Sequence, residues 1–372
     1  MARNVLRTRL CDLLDIEYPI MLAGMGGAAT AELAAAVSEA GGLGIIGGIN
    51  LSADELDAEI TKCKKLTSRP FGVDTIAPTN MVDTGTVEEL RNYITDEVVE
   101  YVSKLVKELG IPVPEGVQIG REGGTGWAAG MTPRQIEVVY DHKVPIFAAA
   151  LGSPAFMAPE AHKRGMKVVG LVGNTRQARK EAEGGVDIIV AQGHEAGGHT
   201  GHVATLPLVP MIVDAIDPTP VVAAGGIADG RGLVASLALG ACGVWCGTAF
   251  LCTHEAGILP ESKELLLKAT ERDTRVTRVF TGKTCRLLTT QLIEKWEKEG
   301  PILPFPLPIV ICTSLQDYIQ EAAMAENYFI PTGQICGAIK ELKSARQVVE
   351  DMVDQAVQIM EEGFPSRVKV SR

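Results

Sequence analysis

Three imidazoles fall within nine residues in the stretch Gln192-Gly193-His194-Glu195-Ala196-Gly197-Gly198-His199-Thr200-Gly201-His202. Such density suggests either metal binding or proton transfer. A metal shell needs ligands held on one face. Here Gly193, Gly197, Gly198 and Gly201 break any helical spacing, and no separate Asp/Glu/His cluster completes a shell. The stretch therefore reads as a glycine-rich loop wrapped over a ligand with one imidazole facing it, and no metal is expected. Two further turns have the same flavour: Ala223-Ala224-Gly225-Gly226-Ile227-Ala228-Asp229-Gly230 and Val244-Trp245-Cys246-Gly247-Thr248-Ala249-Phe250. Glycines there let backbone N–H groups and a helix N-terminus point at a phosphate. Gly225–Gly226 and Gly247–Thr248 are the expected phosphate loops.

The elements that must hold these loops alternate. Tyr18–Ala23, Leu43–Ile46, Pro70–Ile76, Pro145–Ala149, Lys167–Val172, Val186–Ala191, Pro220–Ala224 and Gly243–Cys246 read as short apolar strands. Between them lie helical stretches: 30–40, 53–66 with Ser52 as N-cap, 133–142, 154–164, 174–184, 206–215 and 230–239. Near-continuous apolar strands alternating with helices predict a parallel sheet covered on both faces. Eight such units over about 250 residues fit a (β/α)8 TIM barrel, whose active site lies at the C-terminal strand ends. An open Rossmann-like sheet is the runner-up, but Gly24-Met25-Gly26-Gly27 lacks its glycine fingerprint.

The expected organisation is a barrel over 1–255, a region over the mouth at 256–343 and a C-terminal helix at 344–372 packing back on the barrel. An insertion at 77–132, after the third strand, interrupts the barrel. It contains an acidic amphipathic helix around Val87–Leu109 and a glycine-rich loop, Gly116–Gly130, and is expected over the active-site face. Beyond 255, Thr270–Arg286 reads as strand-like, Leu287–Lys298 as helical, Gly300–Pro308 as proline-rich, and Ser314–Glu326 and Ser344–Glu361 as amphipathic helices.

Composition bounds the function. Net charge is −11, which argues against nucleic acid or an anionic membrane surface as main partner. No apolar run approaches membrane-spanning length, and the N-terminus lacks a secretory h-region. Eight cysteines without a Cys-x-x-Cys pair fit a reducing cytoplasm.

The string Gln192 to Gly201, with AAGGIADG and WCGTAF, resembles the nitronate monooxygenase (2-nitropropane dioxygenase) family of FMN-dependent TIM-barrel oxidoreductases. Pro19-Ile20-Met21-Leu22-Ala23-Gly24-Met25 and Gly41-Gly42-Leu43-Gly44 are similar too, so the likeness runs over roughly 10–255 in order, except the insertion. It implies FMN held by Gln192, Gly197, Gly198, Gly225, Gly226, Trp245, Cys246, Gly247 and Thr248. Ala23, Gly24 and Met25 would lie against the flavin ring, and His199 would be the active-site imidazole. It further implies small nitronates oxidised with O2 to a carbonyl compound and nitrite. Two departures stand out. Asp74 occupies the place of the family's usual Asn after Phe71-Gly72-Val73, and Thr200 replaces the common Arg after the histidine. An ionised Asp74 would accept from the flavin N3–H, could not donate to the flavin carbonyls, and would lower the redox potential.

The same scaffold resembles FMN-dependent enoyl-thioester and quinone reductases, which take hydride from NAD(P)H. A non-redox barrel binding a phosphorylated metabolite is the third reading. Homo-oligomerisation is compatible with all three. Trp127, Tyr328, Phe329 and Phe305 are candidates for the pocket or its lid. Glu195 is expected either to orient His199 or to cap the loop. His194 and His202 are expected in loop or rim roles, and Lys167 at the barrel bottom.

Overall fold

The computed structural model describes residues 6–76, 87–122 and 133–369. The strands are β1 (Ile20–Leu22), β2 (Gly44–Gly47), β3 (Phe71–Ile76), β4 (Ile146–Ala150), β5 (Lys167–Val172), β6 (Ile188–Gln192), β7 (Gly198–His199), β8 (Val221–Ala224), β9 (Gly243–Cys246), β10 (Thr274–Thr277) and β11 (Cys285–Leu288). Eight of them form one parallel sheet in the order β1-β9-β8-β6-β5-β4-β3-β2. Leu22 N donates to Leu43 O and Leu43 N to Ile20 O, both at 2.9 Å, which joins β1 to the start of β2 and closes the ring. The expected barrel is therefore present, with strand bounds within about two residues of those read from the sequence.

Alternation along each strand divides two layers. Met21, Ile45, Ile146, Ala148, Val169, Ile188, Val190, Val222 and Trp245 share the barrel interior. Ile20, Leu22, Ile46, Val73, Phe147, Val168, Ile189, Val221, Val244 and Cys246 pack outward under the helices. Helix Arg9–Leu14 plugs the bottom: Leu10, Cys11 and Leu14 belong to the interior cluster, and the Thr8 hydroxyl donates to Cys242 O. Lys167 also stands at the bottom, 3.2 Å from Asp187, whose other oxygen meets His162 at 2.9 Å.

Helix Ala53–Leu66 starts where the sequence places it. Ser52 Oγ accepts from Glu55 N and Ser52 N donates to Glu55 Oε2, a reciprocal capping box. Elsewhere the boundaries moved. The stretch 154–164 divides into a 3-10 turn, Pro154–Met157, and a short helix, Ala158–Lys163. The amphipathic stretch 87–109 divides into Val87–Arg91 and Asp96–Leu109, the latter preceded by Thr95. Of the glycine-rich loop 116–130, residues 123–130 lie outside the described residues. Leu287 and Leu288 lie in β11, and the helix that follows is Gln291–Glu299, capped by the Thr290 side chain on Ile293 N. Helix Leu307–Glu321 begins seven residues before Ser314, because a proline in the first turn has no N–H to lose.

The insertion and the region 256–343 share one core. Ile94, Val98, Val102, Leu105 and Ile119 pack with Leu292, Trp296, Ile311, Leu315 and Phe329. Trp296 is enclosed and donates from Nε1 to Pro301 O; burying an indole of this size contributes on the order of 3 kcal/mol. The three-stranded sheet β10-β11-β7 ties this lobe to the loop after β6. The chain then returns. Helix Ala345–Gln358 packs on helix Gly230–Ala238, where a Cβ on Gly230 would come within 2.4 Å of Ala356 N. Gly230 N donates to Gln355 Oε1 at 2.8 Å. This C-terminal helix also contacts helix Ala31–Glu39 and so occupies the place of the barrel's eighth helix. The whole lobe 256–343 is spliced between it and its strand, β9.

Candidate active site

A cavity of about 460 Å³ opens at the C-terminal ends of the barrel strands, beneath the lobe. Ala23, Gly24, Met25, Asp74, Gln192, Gly197, Gly198, His199, Gly225, Gly226, Trp245, Gly247 and Thr248 all line it. Cys246 stands apart. Its thiol points into the layer between sheet and helices, and burial pushes it up to about 12. Only its carbonyl serves the mouth, accepting from Ala23 N at 2.9 Å.

One wall is made of turns that exclude side chains. Gly225 and Gly226 have φ of 97° and 74°, the left-handed region that glycine enters without penalty. Among the described residues, their N–H groups find no acceptor within the protein. A Cβ on Gly197 would meet Gly333 N at 2.7 Å, and one on Gly247 would meet Ala23 Cβ and Met25 Sδ at 3.3 Å. The helix after β8 does not contribute as the sequence suggested. Its first amides are already spent, Gly230 N on Gln355 and the N–H groups of Arg231 and Gly232 on Asp229. An anion in this wall would be met by loop amides, since no Lys or Arg among the described residues lines the cavity.

Asp74 projects from the upper end of β3, opposite Gly47 and Ala148 in register. It is 7% exposed, and Oδ1 is buried without a hydrogen-bond partner among the described residues. Gly24 permits this placement, because a Cβ there would lie 2.1 Å from Asp74 Cβ. Burial pushes the carboxyl up to about 8, only partly offset by the Thr75 backbone N–H. This corrects the expectation of an ionised, acceptor-only Asp74: at neutral pH the side chain is an acid with a hydrogen to donate.

His199 is held on three sides. Gln192 Nε2 donates to its carbonyl at 2.5 Å, β7 pairs antiparallel with β11 (His199 opposite Cys285), and Nε2 lies 2.8 Å from Thr281 Oγ1. Burial, with a smaller contribution from the Lys283 ammonium, lowers its pKa to about 4, so the ring is neutral at physiological pH. The other two imidazoles of the loop do not join it. His194 Nδ1 meets Gly201 O at 2.8 Å, and His202 is exposed. Glu195 caps a helix: its carboxylate accepts from Thr205 N and Thr205 Oγ1 at the start of helix Thr205–Ile216.

The roof comes from the lobe. Phe280, Tyr328, Phe329, Ile330 and Gln316 line the cavity, with Phe280 and Phe329 stacked at 5.1 Å. Tyr328 and Phe329 are thus where the sequence placed them. Phe305 is not among the lining residues and lies under the Lys283 ammonium, and Trp127 falls outside the described residues. Thr281 and Phe280 carry no local signal in the sequence. They reach the site through the docking of the lobe, which pairs β11 with β7 across more than eighty positions of chain.

The donor set fits a flavin mononucleotide. It offers loop amides for a phosphate, a buried carboxyl with one oxygen unpartnered among the described residues for the polar edge of a ring, and an apolar wall around Met25 and Trp245.

A family profile described as nitronate monooxygenase matches residues 7–355. Rv1533 of Mycobacterium tuberculosis is 38% identical over 369 residues, covering 95% of this chain and 97% of its own. A "Probable nitronate monooxygenase" of Staphylococcus saprophyticus is 35% identical, covering 95% and 99%. Among solved structures, nitroalkane oxidase of Streptomyces ansochromogenes superposes with a TM-score of 0.78 at 28% identity, covering 94% and 98%. FabK of Thermotoga maritima gives 0.75 at 31%, covering 97% and 99%.

Proposed function

Since this chain belongs to the nitronate monooxygenase family of oxidoreductases, we propose that it binds FMN and oxidises small nitronates with O2 to a carbonyl compound and nitrite. Bound FMN supplies the electron transfer that amino-acid side chains cannot perform. Gly225, Gly226, Gly247 and Thr248 would hold its phosphate. Asp74 would meet the polar edge of its ring, with Ala23, Gly24 and Met25 against the ring face. The observation that carries the reading is the composition of the cavity wall. It joins glycine turns for an anion to one neutral imidazole and one uncharged carboxyl, under an apolar roof.

His199 is then the group that meets substrate. A neutral imidazole in a desolvated wall accepts a proton from an acidic C–H or hydrogen-bonds a nitro oxygen; it brings no fixed positive charge. The roof of Phe280, Phe329 and Ile330 excludes water from the reacting atoms. All eight cysteines are buried and unpaired, which supports a reducing, cytoplasmic setting.

A second reading, an NAD(P)H-dependent enoyl-thioester reductase, draws support from the likeness to FabK over nearly the full length of both chains. Anaerobic titration of the purified yellow protein separates the two. Bleaching by a nitronate and not by NADH supports the monooxygenase, and the reverse result replaces it with the reductase. His199→Asn should reduce turnover by about 10²–10⁴-fold while the flavin is retained.

A further inference from the structure

The hydroxyl of Thr281 has three polar neighbours. His199 Nε2 is at 2.8 Å, Lys283 N at 3.3 Å and Lys283 O at 3.4 Å. Thr281 is 3% exposed, so solvent offers it little. A hydroxyl has one hydrogen and two acceptor lone pairs. The Lys283 N–H takes one lone pair. If the hydrogen goes to His199 Nε2, the Lys283 carbonyl receives nothing from Thr281. The ring hydrogen must then sit on Nδ1, which has no acceptor among the described residues. If the hydrogen goes to the Lys283 carbonyl, all three neighbours are served. The second lone pair then accepts an Nε2–H, and Nδ1 is left bare.

We propose that Thr281 is a positioning residue that fixes His199 as its Nε2–H tautomer and leaves Nδ1 as the nitrogen that meets substrate. This rests on the reading of His199 as the substrate-facing imidazole. For a substrate entering as the neutral nitro compound, the acidic C–H bond breaks and its electron pair stays on the substrate as the nitronate. The proton forms a new bond to Nδ1. The resulting imidazolium keeps its Nε2–H on Thr281, so the ring does not rotate as it gains charge. The hairpin between β10 and β11 thus does more than roof the site, because it decides which face of the imidazole is basic.

The test is nitrogen NMR of the flavin-loaded protein labelled with 15N-histidine, with His199 assigned by loss of its signals in His199→Gln. The expected result at pH 7 is a pyridine-type Nδ1 and a pyrrole-type Nε2. Thr281→Val should mix or invert the two, shift the acidic limb of the kcat/KM–pH profile and lower kcat/KM on the order of tenfold. Thr281→Ser should restore all three. A pyrrole-type Nδ1 in the unmodified protein overturns the proposal, as does a Val variant with unchanged tautomer and pH limb. If Thr281→Val does not fold, the spectrum of the unmodified protein decides alone. The spectrum is recorded without substrate, so a failure of the nitronate reading would not change it, and a wrong tautomer would leave nitronate bleaching intact.

Discussion

Replacing Asp74 with Asn isolates the cost of carrying a buried acid at the barrel mouth. The carboxyl titrates at about 3.9 when the chain is unfolded and at about 8 when folded. Because the folded value is raised, the stabilisation is fully present below pH about 4. It is lost as pH rises through about 8, since only the unfolded state releases the proton in that window. Each pH unit within it is worth about 1.4 kcal/mol, so from pH 5 to pH 7 the flavin-free protein should lose about 3 kcal/mol from this group alone. The amide introduced by Asp74→Asn has no proton to release. Urea unfolding of both proteins at pH 5, 7 and 9 should therefore show the stability of the Asn variant relative to Asp rising by about that amount between the first two values, with little further change beyond about 8. A constant offset of the kind produced by a differently satisfied amide would not count. If the difference between the two proteins is flat across the series, Asp74 is ionised in the native state and the argument for a neutral donor fails. The same logic revises the redox expectation. The fall in potential caused by the Asp74 charge should appear only as pH passes about 8, read by redox titration of the two flavin-loaded proteins at pH 6 and 9.

Glu181 presents the same physics away from the site. Its carboxyl is buried in helix Thr175–Glu183 against Gly170 of β5, with Oε2 unpartnered among the described residues, and burial raises it to about 8. Glu181→Gln should make the fall of stability between pH about 4.5 and 8 less steep without changing turnover, measured by urea unfolding beside an activity assay. Gly24→Ala should weaken FMN binding by about 1–3 kcal/mol, roughly five- to 150-fold, because its Cβ would collide with Asp74 Cβ; a flavin-fluorescence titration reads this directly.

What the sequence reveals and what it hides follow from range. Strands with apolar runs and helices with local start signals were legible, as at Ser52 and at β5 and β9, because those signals lie within a few residues of the element they set. The glycine turns were legible for the same reason. The protonation state of Asp74 was not, since it depends on the enclosure that tertiary packing creates. Nor was the fate of the helix N-terminus after β8, whose amides are taken by Asp229 beside it and by Gln355 more than a hundred residues away. Thr281 is ordinary in sequence and acquires its role when β11 docks on β7.

The return of helix Ala345–Gln358 to the barrel has a consequence for biosynthesis. Chain emerging from a ribosome would hold all eight staves before the final hoop arrives, and the roof would have been made in between. Cutting the gene after the roof would not yield a lidded barrel missing an appendage. It would expose the outer side of Gly230–Ala238 to water, with Val349, Met352 and Val353 no longer there to cover it. A reporter fused behind this helix would therefore monitor completion of the barrel itself.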